Sequence, residues 1–288
     1  MTDLGTTRIG ERTFRWGERT FVMGILNVTP DSFSGDGLLP PGEAIDAVAA
    51  AVAQARAMAA EGADLLDIGG ESTRPGHAPV AEAEELGRVV PVVRAVRAAL
   101  PDIPLSIDTT KPAVAEAALA AGADAINNVW GVDEAATLAR IAAAHAVPIV
   151  LMHNRAEPRY DQVVQEVIDD LRRAIERAIA AGVAPADILI DPGIGFGKTA
   201  QQNLVLLRDL GELRTLGRPI LLGTSRKSTL GKVLDLPADE RLEATLATTA
   251  LGVAAGADVV RVHDVRANVR AARMADAIVR GTWPDGRT

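Results

Sequence analysis

Gly62, Gly122 and Gly182 stand sixty residues apart, each just after an Ala-rich stretch, and this spacing restricts the fold more than any other feature of the chain. Their neighbours repeat with them: Glu61-Gly62-Ala63-Asp64, Ala121-Gly122-Ala123-Asp124 and Ala181-Gly182-Val183, with a further copy in Ala255-Gly256-Ala257-Asp258. Glycine at such a place takes the left-handed conformation that ends a helix. Two strand–helix units fit between successive caps, and periodicity of this kind marks a repeated architecture.

Reading outward from the caps gives eight units. Strands are expected near Phe21–Asn27, Asp64–Ile68, Pro104–Asp108, Asp124–Val129, Pro148–Met152, Ile188–Asp191, Pro219–Gly223 and Asp258–Val262. A helix follows each, for example Glu43–Ala60, Glu82–Leu100, Asp161–Ala180 and Asp239–Ala254. Strict alternation implies a parallel sheet, and eight units imply closure into a (β/α)8 TIM barrel of the α/β class. Residues 1–20 are read as an N-terminal extension, a small hairpin with Trp16-Gly17 at its turn that caps the barrel bottom; residues 21–282 are the barrel. An open doubly wound sheet would require Gly-x-Gly-x-x-Gly after its first strand, where this chain has Gly24-Ile25-Leu26-Asn27.

Composition agrees. Hydrophobic residues are 48% of the 288 and aromatics 3%, so the core is aliphatic, as suits helices packed on a parallel sheet. A net charge of −8 argues against a general nucleic-acid or anionic-membrane surface, so any anion is held in a local basic pocket. The absence of cysteine excludes disulfides, thiolate zinc sites and a cysteine nucleophile. With no signal-peptide core in Met1 to Thr20 and no long apolar span, the expected location is cytoplasmic.

In a barrel of this kind the working residues gather at the C-terminal strand ends. There the chain places Asn27 and the run to Gly37, Asp67 and the run Gly69–Gly76, Asp108, Asn127-Asn128, Met152-His153, Asp191, Ser225-Arg226-Lys227-Ser228 and Arg261-Val262-His263-Asp264. Asp67 reads equally as a ligand or as a cap of its loop, and His153 equally as a ligand or an anchor. Arg261 and His263 share a strand face by two-residue alternation, after the last strand, where such barrels hold phosphate. Only four lysines occur, Lys111, Lys198, Lys227 and Lys232, and three of them follow strand ends, which marks them for specific tasks. Zinc lacks a ligand motif, whereas Mg2+ needs only oxygens such as that of Asn27 together with substrate phosphates.

Taken in order, these motifs resemble one family. Asn-Val-Thr-Pro-Asp-Ser-Phe-Ser (27–34), Gly-Gly-Glu-Ser-Thr-Arg-Pro-Gly (69–76), Ser-Ile-Asp-Thr (106–109), Asp-Pro-Gly-Ile-Gly-Phe-Gly-Lys (191–198), Gly-Thr-Ser-Arg-Lys-Ser (223–228) and Arg-Val-His-Asp (261–264) are similar to those of dihydropteroate synthases. The resemblance implies condensation of 6-hydroxymethyl-7,8-dihydropterin pyrophosphate with p-aminobenzoate in folate biosynthesis, releasing pyrophosphate by dissociative substitution. It implies that Asp108, Asn127, Asp191 and Lys227 hold the pterin, with Met152 and Phe196 on its faces. Thr73, Arg74, Arg261 and His263 would bind the pyrophosphate, Asn27 the Mg2+, and Phe33, Pro75, Lys227 and Ser228 would lie near the p-aminobenzoate. Asp108, Lys227, Arg74 and Asp36 would carry catalysis. Competitive inhibition by sulfonamides and a homodimer are implied as well.

Two positions depart from the family pattern: Gly35-Asp36 stands where many members have Asp-Gly, and Asn127-Asn128 where Asn-Asp is usual, which removes a charge expected near the pterin. Three rival readings are a methyltetrahydrofolate–corrinoid methyltransferase, a catalytically silent pterin-binding paralogue and a Schiff-base aldolase working through Lys227. The basic residues Arg226, Arg261 and His263 speak against them as an anion site.

Overall fold

The computed structural model describes residues 4–28, 47–71, 80–131 and 135–281. Its first strands, β1 (Thr6–Ile9) and β2 (Arg12–Arg15), form an antiparallel hairpin. Eight parallel strands follow: β3 (Phe21–Asn27), β4 (Leu65–Gly69), β5 (Leu105–Asp108), β6 (Ala125–Asn128), β7 (Ile149–Met152), β8 (Ile188–Asp191), β9 (Leu221–Leu222) and β10 (Val259–Val262). Between and after them run α1 (Ala47–Ala60), α2 (Glu82–Ala99), α3 (Pro112–Ala121), α4 (Ala135–His145), α5 (Val163–Ala180) and α6 (Ala200–Arg208). Both α7 (Ser228–Leu234) and α8 (Leu242–Ala254) separate β9 from β10, and α9 (Val265–Val279) ends the described chain.

The strands pair in the order β8-β7-β6-β5-β4-β3-β10-β9. A parallel bridge from Ile190 to Ile220, with the Ile190 N–H donating to Pro219 O at 3.0 Å, joins the two ends and completes the ring. The glycine caps act as their spacing requires: Gly62, Gly122, Gly182 and Gly256 all have φ near +100°, at 102, 113, 103 and 98.

Alternation along each strand sorts the side chains into two cores. Outward residues such as Val22, Leu26, Leu66, Ile107, Ile126, Leu151 and Ile190 pack against helix faces built of Ala51, Ala55, Ala118, Ala142 and Ala178. Small side chains on those faces let the helices lie close on the sheet. Inward residues Met23, Leu65, Ala125, Val150, Leu189, Leu221 and Val259 form the lower barrel interior, and Ile9, Phe14 and Trp16 of the hairpin close it from beneath. Trp16 Nε1 donates to Thr7 Oγ1 at 2.8 Å, which satisfies the indole N–H that the plug buries.

The hairpin therefore caps the barrel bottom, but its turn is Gly10-Glu11, not Trp16-Gly17. Trp16 and Gly17 belong instead to the turn that follows β2, with the Trp16 ring buried in the plug and stacked on Phe14 at 5.7 Å between ring centroids. Two helices also begin later than the apolar pattern predicts, while the expected start of the first, at Glu43, falls outside the described residues. Asp161 and Gln162 instead donate their N–H groups to Glu166 Oε1, which caps α5 from inside. Leu236 and Pro237 precede a short 3-10 turn (Ala238–Glu240) before α8 starts.

Because Phe14 is 2% exposed and fills the barrel bottom, Phe14→Ala should cost about 3–5 kcal/mol of stability, read from denaturant unfolding, with β-barrel secondary structure retained.

Candidate active site

Above the apolar interior layer the same inward positions turn polar: Asp67 on β4, Ser106 and Asp108 on β5, Asn127 on β6, Asp191 on β8 and Arg261 on β10. Register places them together. Asp67 pairs with Ser106, Asp108 with Asn127, and Met152 with Asp191. Arg261 reaches across the ring, its Nε donating to Asp67 Oδ2 at 2.6 Å and its Nη2 to Asp108 Oδ2 at 2.7 Å. Asn127 Nδ2 donates to the same Asp67 oxygen at 2.9 Å. Oδ1 of Asp67 and Oδ1 of Asp108 are buried and have no partner among the described residues.

Burial dominates the electrostatics here. It pushes the Asp108 carboxyl up to about 7, against the pull of Arg261 and with the help of Asp67. Burial likewise raises Asp191 to about 6, although the Gly193 N–H donates to its Oδ1 at 2.7 Å and Lys227, Arg261 and Lys198 favour its charge. Two acceptors whose charge is finely balanced thus face two cations.

Lys227 arrives from the loop after β9. Its Nζ lies 3.8 Å from the centroid of the Phe196 ring, and Phe196 packs with Met152, Val129 and Trp130. The turn that aims Lys227 is strained. Arg226 has φ +56, an uncommon conformation for a side chain of its size. Thr245 Oγ1 accepts its N–H at 3.2 Å and Arg241 Nη1 donates to its carbonyl at 3.0 Å, which holds the turn from both sides. The guanidinium of Arg226 pairs with both oxygens of Asp264, at 3.1 and 2.7 Å, so it belongs to that ion pair and is no evidence for an anion site. His263 Nδ1 lies 2.9 Å from Ser225 Oγ, which also accepts the His263 N–H at 3.1 Å. Ser228 is exposed at the start of α7. Asn27 ends β3 half-buried, in register with Gly69.

The other expected residues divide. Phe33, Asp36, Thr73, Arg74 and Pro75 lie outside the described residues. Asn128 is not at the site: alternation turns it away from the barrel axis, in register with the outward Leu151, and its Oδ1 accepts the Trp130 N–H at 3.0 Å. The change from the usual acid at that position therefore removes no charge from the pocket.

Two of the scarce lysines hold loops instead of ligands. Lys111 forms ion pairs with Glu71 and Glu85, and Glu71 also accepts the Val80 N–H at 3.1 Å. Lys198 donates to His153 Nδ1 at 2.9 Å, Phe196 O at 3.0 Å and Gly193 O at 3.1 Å. Gly193, at φ +68, lies so close to His153 that a Cβ would come within 1.8 Å of its carbonyl oxygen, so glycine is the only residue that fits. His153 is an anchor and not a ligand: Nδ1 accepts from Lys198 while Nε2 lies 3.1 Å from Asp170 Oδ2, and burial holds its pKa down at about 4. Sequence reasoning had no signal for Asp170 and Arg155, which complete this chain from helix α5 and the loop after β7.

The profile of the family described as pterin binding enzyme matches residues 23–263. A dihydropteroate synthase from Clostridium beijerinckii is 49% identical over 95% of this chain and 99% of its own length. A dihydropteroate synthase from Clostridium difficile, solved in the presence of pteroic acid, superposes with a TM-score of 0.87 at 48% identity, covering 93% of this chain and 99% of that one. A dihydropteroate synthase from Xanthomonas albilineans with 4-aminobenzoic acid gives a TM-score of 0.87 at 43% identity, over 95% of this chain and 97% of that one.

Burial lowers the Lys198 ammonium to about 7 from an ordinary 10.5. The unfolded chain therefore binds more protons than the folded one between those values, and stability rises with pH across that window. Lys198→Met should destabilise the protein by about 2 kcal/mol, since it removes the donor to Phe196 O and to His153 Nδ1 inside the structure. The deficit relative to wild type, followed by denaturant unfolding, should widen as pH rises from about 7 toward 10.

Proposed function

The chain belongs to the pterin binding enzyme family, and we infer that it is a dihydropteroate synthase whose barrel mouth is divided between a pterin pocket and an anion site. It condenses 6-hydroxymethyl-7,8-dihydropterin pyrophosphate with p-aminobenzoate to give 7,8-dihydropteroate and pyrophosphate. The observation that carries the division is the buried set Asp108, Asn127 and Asp191 facing Lys227 and Arg261. A pterin presents a flat edge of mixed donors and acceptors. Two carboxylates accept its N–H groups, the amide supplies one partner of each kind, and Lys227 donates to a ring acceptor. Met152 and Phe196 offer apolar faces to the ring plane. Residues 21–282 form the catalytic barrel in this reading, with residues 1–20 as its cap.

Arg261 spends two of its N–H groups on Asp67 and Asp108, which leaves three of a guanidinium's five for the oxygens of the pyrophosphate, alongside His263. The bond between the pterin methylene carbon and the pyrophosphate oxygen breaks first, and its electron pair leaves with the pyrophosphate. The aromatic amine of p-aminobenzoate then forms the new C–N bond and gives up a proton. Arg261 and His263 favour this order because they bind the anion more strongly as its charge grows. The buried carboxylates stabilise the cation left on the pterin. Among the described residues no group of three or more His, Asp or Glu side chains gathers to hold a metal. A Mg2+ that arrives on the pyrophosphate fits this donor set, since it needs only one or two protein oxygens. Asn27 would hold it, and the ion would neutralise charge on the leaving group. A homodimer is supported by the apolar residues exposed on two adjacent helices, Leu251 on α8 and Met274 and Ile278 on α9, at 68%, 61% and 72%.

The purified protein should form 7,8-dihydropteroate from the two substrates in the presence of Mg2+, with competitive inhibition by a sulfonamide. Pterin binding without product would leave a silent paralogue instead. Arg261→Ala should weaken pyrophosphate binding about tenfold or more while a pterin without phosphates loses less; equal losses in calorimetry would remove the anion role.

A further inference from the structure

Asp67 has no part in the assignments above, although it lies at their centre. It is fully buried, and one of its oxygens takes hydrogen bonds from both Arg261 and Asn127 while the other has no partner among the described residues. We propose that Asp67 is a positioning residue: it fixes which end of the Asn127 amide faces the pocket and holds Arg261 across the floor, and so sets the donor–acceptor pattern offered to the pterin edge. The inference rests on the reading of Asn127 as a pterin contact.

The two ends of an amide are nearly the same size, so packing alone does not choose between them. A carboxylate only accepts hydrogen bonds. Asp67 therefore repels the amide oxygen and takes Nδ2, at 2.9 Å, which turns Oδ1 and the second Nδ2 hydrogen toward the ligand. An asparagine in place of Asp67 accepts or donates equally well and would leave the amide of Asn127 free to present either end. The cost of the arrangement argues against a role in stability alone. A buried carboxylate with half its acceptor capacity unused is poorly offset, and apolar residues of the same volume commonly serve the fold as well or better.

Position supports the same conclusion. Register puts Asp67 opposite Ile25 on one side and Ser106 on the other. That is two residues below Gly69, which itself pairs with Asp108 and, lacking a side chain, lets the Asp108 side chain lie 3.5 Å from where its Cβ would be. Asp67 and Asp108 share Arg261, so the charge of one bears on the other. The groups that bear on Asp108 are Arg261 and Lys227, which favour its ionised form, and Asp67 and Glu85, which oppose it. Without the Asp67 charge Asp108 loses a like neighbour and keeps its guanidinium, so it ionises at lower pH.

The test uses the full-length enzyme and 6-hydroxymethylpterin, which carries no phosphate. Asp67→Asn, nearly isosteric, should keep the melting temperature within a few degrees, weaken pterin binding about tenfold or more in calorimetry, and move the acid limb of the binding-versus-pH curve to lower pH. Asn127→Ala serves as reference. If Asn127→Ala weakens the pterin but Asp67→Asn leaves affinity and pH curve at wild-type values, the positioning role is overturned. If Asn127→Ala itself binds pterin normally, the pocket assignment fails and takes the inference with it. Should Asp67→Asn not fold, Asp67→Asn/Arg261→Met removes the uncompensated guanidinium. Its pterin affinity is then read against Arg261→Met alone: a further loss supports the role, and equality overturns it.

Discussion

A guanidinium shared between two carboxylates inside a closed barrel is an arrangement that water would readily dissolve, and the rest of this structure exists around keeping it intact. Arg261 meets Asp67 and Asp108 from strands on different sides of the ring. Removing such charges from solvent costs several kcal/mol per ion, and only good geometry returns it. That geometry is set by register. A slip of one residue on β4, β5 or β10 would turn a charge from the interior to the layer of Ala-rich helices. The closing bridge from Ile190 to Ile220 and the plug beneath thus serve the polar layer as much as the core.

Around this centre, cations are used as tethers. Lys198 gathers carbonyls of the loop after β8, which carries Phe196, and ties them to His153 on the neighbouring strand end. Lys111 joins Glu71 and Glu85, on either side of the segment 72–79. Arg241 and Thr245 hold the left-handed turn at Arg226 that directs Lys227 over the Phe196 ring. Each tether is built from residues that do not touch the ligand in the proposed site.

The sequence reveals what is periodic and hides what is paired through space. Strand alternation and the spacing of Gly62, Gly122 and Gly182 are local signals, and they lead directly to eight strands in the observed order. The strand-end residues Asp108, Asn127, Asp191 and Arg261 follow from the same alternation, which makes them converge. Asp67 could not be told from a loop cap, because its partner Asn127 is 60 residues away and nothing local marks the pair. His153 was equally ambiguous: its fate depends on Asp170, supplied by a helix face. Trp16-Gly17 is a turn, but the one after β2; nothing local separates it from the hairpin turn at Gly10-Glu11, which only the pairing of Ile9 with Arg12 reveals. Asn128 looked like a lost charge only because its neighbour Asn127 faces the other way.

The hairpin plug has a consequence for traffic. With Phe14 and Trp16 filling the lower end, the interior is closed on that side. The Asp67 layer is therefore reached from the C-terminal strand ends and not from beneath. A sealed floor thereby gives arrivals and departures the same end of the barrel, without any moving part at its bottom.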